Sequence, residues 1–248
     1  MHLKQSKLSE KTQFEAVEQE LSKISMPNTS LYFSFLVDLT FIMREAIAIL
    51  YAPAAAQRSW HNIETAATAL SENADRFLSR LPSDLQFTNI CLSQPFIRQR
   101  VSLAFYFYSM KLIIYLPCFC RMAYSPPNMR PLGPVCSTLA TQCVDVAGQM
   151  LNVLPDSLDM IQLYDFPPWW DVFHHVMQSK VVLLVHLCTQ NQLDSDEIKK
   201  ISETVKKAAW WLKKMSSHDP SSSRALRVCQ DLISQHDPEL GLGLDLEG

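Results

Sequence analysis

The chain has 248 residues, a formal net charge of −3, and 48% hydrophobic against 19% charged side chains, a composition that supports a packed core and not a disordered polymer. Only five glycines occur, and Gly241, Gly243 and Gly248 crowd the C-terminus. This disfavours glycine-rich phosphate loops, dinucleotide fingerprints and primed hairpins, all of which need positive φ, and leaves an all-α protein. The charge supplies no whole-chain basic field for nucleic acid or anionic lipid, and the seven cysteines, odd in number and scattered, read as reduced intracellular thiols packed as small hydrophobes.

Residues 1–29 form a polar N-terminal segment with a short helix expected around Thr12 to Ile24 and no apolar signal region, so secretion is not expected. Met26-Pro27-Asn28-Thr29-Ser30 supplies a breaker and an N-cap. From Leu31 to Tyr51 the only charges are Asp38, Arg44 and Glu45, which predicts a helix buried nearly all round and ended by Pro53. Trp60, Ile63, Ala67, Leu70, Ala74, Phe77 and Leu81 alternate steps of three and four, an apolar stripe on one helix face that Pro82 stops. Ser83 to Phe87 connects to a longer helix from about Pro95 to Leu116.

Pro126, Pro127, Pro131 and Pro134 mark a loop, after which Cys136, Leu139, Cys143, Val146, Ala147 and Met150 repeat at helical spacing up to Leu154-Pro155. Pro167-Pro168 opens the next helix in its first turn, where proline is tolerated, and that helix runs through Leu187. Asp194 or Ser195 caps another that reaches Met215, and Ser216 to Pro220 separates it from a last helix over Ser222 to Gln235. The expectation is an irregular bundle of six to seven helices over residues 30–236, followed by a flexible tail at 237–248.

Three groups of residues bear on function. Between Val101 and Cys120 every residue is apolar or aromatic except Ser102, Ser109, Lys111 and Pro117, a stretch long enough to cross a bilayer. Lys111 near its middle and Pro117 in its last turn argue instead for the central helix of a bundle. His175 and His186 share a face but stand three turns apart, roughly 16 Å, too far for one metal. No HExxH, CxxC, GxSxG or paired-acid motif occurs, so no catalytic, cofactor-binding or metal-ligating residue is assigned, and Cys136 and Cys143 read as core.

The third group lies on the helix from Asp196 to Met215. Ile198, Ile201, Val205, Ala208, Leu212 and Met215 set its buried face, while Lys199, Lys200, Lys206, Lys207, Lys213 and Lys214 repeat as pairs seven apart on the opposite one. Trp211 flanks the apolar stripe, whereas Trp210 projects into the lysine face and is expected to be the more exposed indole. Trp210 with Lys206, Lys207, Lys213 and Lys214 is therefore the candidate partner contact; otherwise it is a solvated face with the indole lying over lysine stems.

Several segments, taken in order, resemble the regulatory middle-homology region of fungal-specific transcription factors of the binuclear zinc-cluster family. They are Tyr32-Phe33 through Leu50-Tyr51-Ala52-Pro53, then Leu81-Pro82-Ser83-Asp84-Leu85-Gln86-Phe87, then Phe105 through Leu116-Pro117. The closing pattern is Lys207-Ala208-Ala209-Trp210-Trp211-Leu212-Lys213-Lys214-Met215-Ser216, followed by Arg224-Ala225. The motifs are individually degenerate, so their order and spacing over residues 30–235 carry the resemblance. Leu116 stands where the family usually has arginine, and Trp210 where it often has a basic residue. The family's zinc-cluster head, which needs six cysteines in CxxC pairs, has no counterpart here.

The resemblance implies a non-enzymatic nuclear domain, the C-terminal part of a regulator without its zinc cluster and without a cofactor of its own. It would control transcription through a protein partner, self-association or a small-molecule effector, and would reach DNA only through a head absent from this chain. Two other readings fit the residues: a membrane-anchored helical protein held by residues 101–120, and a helical small-molecule binder or enzyme with a pocket between helices.

Overall fold

A computed structural model describes residues 29–88, 96–125, 132–156, 167–189, 194–216 and 220–236. The expected N-terminal helix at 12–24, the prolines at 126, 127 and 131, and the tail at 237–248 lie outside them. Seven α-helices occur among the described residues and no strand does: α1 Thr29–Leu50, α2 Trp60–Arg80, α3 Ile97–Tyr124, α4 Pro134–Asn152, α5 Trp169–Thr189, α6 Ser195–Ser216 and α7 Pro220–His236. Two short 3-10 turns, Pro53–Gln57 and Ser83–Leu85, flank α2.

α3 is the axis of the fold and packs on α1, α2, α4 and α5. α6 closes the far side against α4, α5 and α7. Val101, Leu103, Ala104, Phe105, Met110 and Ile114 on α3 are fully buried, which is how a helix apolar on most sides is accommodated in a bundle. By length and composition alone α3 could cross a membrane. Lys111 stays near its middle because its ammonium meets Asp75 of α2 at 2.6 Å and lies over the Phe107 and Tyr115 rings.

Sequence reasoning ends α3 near Leu116, yet it continues eight residues further, through Pro117 to Tyr124. Proline has no N–H to give the carbonyl of Ile113, and its ring pushes that carbonyl outward. The Tyr51 hydroxyl donates to the Ile113 oxygen at 2.7 Å instead. A residue after α1 therefore repairs the defect in α3. Burial raises the pKa of the Tyr51 phenol, and the Cys120, Cys143 and Cys118 thiols raise it further, so it stays a proton donor.

The stripe on α2 packs as its spacing requires: Ala67, Leu70, Ala74 and Phe77 are buried, with Leu81 just beyond, and Ser59 caps the first turn by accepting from the Asn62 N–H at 3.3 Å. Trp60, the first member of the stripe, departs from it. It remains 40% exposed and receives the Arg121 guanidinium 4.3 Å from its ring centre, while Arg121 also pairs with Glu64. Pro134 falls at the first position of α4, where a missing N–H costs nothing. Cys136 and Cys143 are wholly buried, as their spacing implied.

α1 corrects the sequence reading. It is not buried nearly all round: Leu39, Ala46 and Leu50 face the core, but Phe33, Val37 and Phe41 are each about half exposed, and Ile47 follows them on the same side. Among the described residues, α2 and α3 are the helices that pack most on it. An all-round apolar composition states that a helix wants cover; it does not supply a second neighbour.

Candidate partner groove at Trp210

α6 is the most clearly two-sided helix of the bundle. Ile201, Val205, Ala208, Leu212 and Met215 are buried, with Ile198 half-buried at the start of the same row. The helix carries Asp196 and Glu197 in its first turn and Lys213 and Lys214 in its last, each sign at the end of the helix dipole that favours it. Asp194 precedes it, and its carbonyl accepts from the Ile198 N–H at 3.0 Å.

The two tryptophans part as expected. Trp211 is 2% exposed and its Nε1–H donates to the Pro155 carbonyl at 3.2 Å, which fastens α6 to the end of α4. Trp210 is half-buried: its ring meets that of Trp211 edge to face at 5.6 Å and leans on the core, while Lys214 lies over it at 5.4 Å. It therefore sits at the seam between the lysine face and the core, not in the middle of the lysines.

That seam is concave. A groove of about 370 Å³ opens between α6 and the C-terminus of α4, lined from α6 by Lys200, Glu203, Thr204, Lys207 and Trp210. Asn152 and Asp156 line it from the other side. Lys207 crosses it to reach Asp156 at 2.7 Å, and this contact holds the Asp156 carboxyl below its ordinary pKa. The Thr204 hydroxyl is engaged by its own helix, donating to the Lys200 carbonyl at 2.9 Å. The groove thus offers an indole edge between charges of both signs, which suits recognition of a polypeptide or an amphipathic ligand. No thiol or histidine is among its lining residues.

Of the residues singled out by sequence, the structure brings Trp210, Lys207 and Lys214 together, half-buries Lys213 beside them, and leaves Lys206 exposed on the outer side. Asn152, Asp156, Glu203 and Thr204 were not anticipated. Asn152 ends α4 and Asp156 follows shortly after it, and nothing local to α6 announces them.

A second groove, about 270 Å³, lies between α2, α3 and α4. Tyr108, Lys111 and Tyr115 line it from α3, with Gln142, Asp145 and Gln149 from α4. Burial raises the Tyr108 phenol pKa, so it is a hydrogen-bond donor. Among the described residues no cluster of three or more histidine, cysteine or acidic side chains could hold a metal. His175 is 2% exposed and stacks on Phe105 at 5.0 Å, and His186 is buried near Phe119, so both serve the core.

The transcription regulator galc of Aspergillus niger is 28% identical to this chain over 253 residues, covering 88% of the chain and 31% of that protein. The chain thus spans about a third of the length of this relative. No family model matches it, and no solved structure does.

Proposed function

We propose that this chain is a non-catalytic transcription-regulatory domain that works by binding a protein partner in the Trp210 groove. The carrying observation is a relative named as a transcription regulator and aligned with 88% of the chain. The ordered motifs that resemble the fungal middle-homology region support the same reading, and so does the all-α bundle. The domain acts in the nucleus and leaves contact with DNA to a zinc-cluster head of the kind the resemblance implies. It needs no cofactor.

The groove supplies the chemistry of recognition. A partially covered indole gives a large apolar contact at low entropic cost, and the Lys207–Asp156 pair can open to match charges on an incoming helix. The test fuses the full chain to a heterologous DNA-binding domain and reads a reporter in a filamentous fungus. Trp210→Ala should weaken regulation, because a central tryptophan typically carries about 2 kcal/mol of binding, roughly thirtyfold in Kd. Lys207→Glu, which sets like charges against Asp156, should act in the same direction. A reporter indifferent to the fused wild-type chain defeats the regulatory reading. One that responds to the wild type and to Trp210→Ala equally moves the site elsewhere.

A further inference from the structure

The seam between α3 and α4, the most extensive helix pair among the described residues, holds two nucleophilic side chains that the Trp210 groove leaves unused. Cys118 stands in α3 just after Pro117, and Cys136 stands in the first turn of α4, two residues after Pro134. Both are fully buried, and neither is in a disulfide. Their thiols hydrogen-bond each other, and the Cys136 S–H also reaches the Cys118 carbonyl at 4.0 Å. Arg121, nearly one turn beyond Cys118, hydrogen-bonds the Cys136 sulfur. Its guanidinium is held by Glu64 at 3.6 Å and lies 4.3 Å from the Trp60 ring centre. Elsewhere burial alone pushes the half-buried Cys120 and Cys188 thiols up. At Cys136 the bond from the Cys118 thiol brings the pKa below its ordinary value, and Arg121 adds to this against burial and the Glu64 charge. The same bond drives the Cys118 thiol up, with burial adding to it, so Cys118 keeps its proton.

We propose that Cys118 and Cys136 are an oxidisable dithiol that closes to a disulfide when the protein meets a hydroperoxide, with Cys136 the sulfur oxidised first. The Cys136 thiolate attacks one peroxide oxygen: an S–O bond forms, the O–O bond breaks, and the departing hydroxide takes up the proton that Cys136 released. The Cys118 sulfur then displaces the hydroxyl from the Cys136 sulfenic acid. The S–S bond forms, the S–O bond breaks, and the Cys118 proton leaves with that oxygen as water. With hydrogen peroxide, the two sulfurs give up two electrons to the peroxide oxygens and two waters are the by-products. The second step needs both sulfurs close together, which the thiol–thiol contact across the α3–α4 seam supplies. Arg121 and Glu64 form the partly exposed outer edge of the pair, the way in for an oxidant little larger than water. The bond ties the part of α3 that follows Pro117 to the start of α4. It lies about 24 Å along α4 from Asn152, so it neither uses nor requires the Trp210 groove.

The test treats the folded full chain with hydrogen peroxide in the absence of denaturant and maps its cysteines by mass spectrometry. The wild type should lose two hydrogen atoms in mass, a cross-link between Cys118 and Cys136 should appear in the digest, and dithiothreitol should reverse both. Cys118→Ala should leave Cys136 as a sulfenic acid that dimedone traps, whereas Cys136→Ala should leave Cys118 unlabelled, an asymmetry that burial alone does not produce. Arg121→Met should slow cross-linking about tenfold, the worth of one unit of thiol pKa, while circular dichroism keeps the wild-type helix signal. Cys120→Ala and Cys143→Ala should cross-link as the wild type does. Wild-type Cys118 and Cys136 that stay reduced while Cys120 or Cys188 is oxidised, or a cross-link that forms only in urea, would overturn the proposal without recourse to any variant. Dimedone labelling of Cys118 in Cys136→Ala would overturn the order of oxidation.

Discussion

The contact between Tyr51 and the carbonyl of Ile113 makes a sharp quantitative claim. Pro117 leaves that carbonyl without its helical donor, and the 2.7 Å bond from the Tyr51 hydroxyl replaces it. Tyr51→Phe keeps the ring and its packing but removes the donor. An acceptor deprived of its partner inside the protein costs about 1–3 kcal/mol. Because Tyr51 is 44% exposed and water can partly compensate, the lower half of that range is appropriate, about 1–1.5 kcal/mol. For a domain of this size that is a fall of roughly 2–6 °C in Tm.

The decisive comparison is in a Pro117→Ala background. The new N–H of residue 117 can satisfy Ile113 itself, so Tyr51→Phe should then cost only about 0.5 kcal/mol, the net worth of one redundant bond. Urea unfolding of the four proteins gives the coupling energy, expected at roughly 0.5–1 kcal/mol. Additive effects, within about 0.3 kcal/mol, would refute the idea that Tyr51 is there to mend the helix at Pro117.

Other expectations follow from burial and charge. Trp211→Ala should cost about 3–5 kcal/mol, because it empties a buried indole site and frees the Pro155 carbonyl, while Trp210→Ala should cost much less; acrylamide should quench Trp210 more strongly in single-tryptophan variants. Lys180 of α5 is fully buried, with its amine facing the weakly accepting Cys229 thiol of α7. Burial lowers its pKa from 10.5, so the unfolded state binds the extra proton and stability rises with pH up to 10.5. Lys180→Met should therefore stabilise the protein at pH 7, by roughly 1–2 kcal/mol, and the gain should shrink as pH approaches 10.5. A gain independent of pH would contradict this. Because α3 spends its apolar length on α1, α2, α4 and α5, the expressed chain should stay in the supernatant after membranes are pelleted. Recovery in a carbonate-resistant pellet would restore the membrane reading.

What the sequence disclosed depends on whether the deciding interaction was periodic. The stripes of α2, α4 and α6 are local patterns with the period of the helix itself. Ala67 to Phe77, Cys136 to Met150 and Ile201 to Met215 could be placed in a core without knowing what they touch. The different environments of Trp210 and Trp211 were legible for the same reason, since adjacent residues diverge by about 100° around a helix.

The errors arise where the answer lay in another segment. Pro117 is a stop signal on any local rule, and only a hydroxyl 66 positions earlier in the chain lets α3 run past it. Asn152 and Asp156 join the Trp210 groove because Trp211 hydrogen-bonds the Pro155 carbonyl and so pins the end of α4 beside α6. α1 fails in a more instructive way. Its composition correctly reports a helix that is apolar on two sides, and α2 and α3 cover one of them. Apolar composition is a local property, whereas cover comes from neighbours distant in sequence, and that is why the sides of α1 could not be told apart from its residues alone.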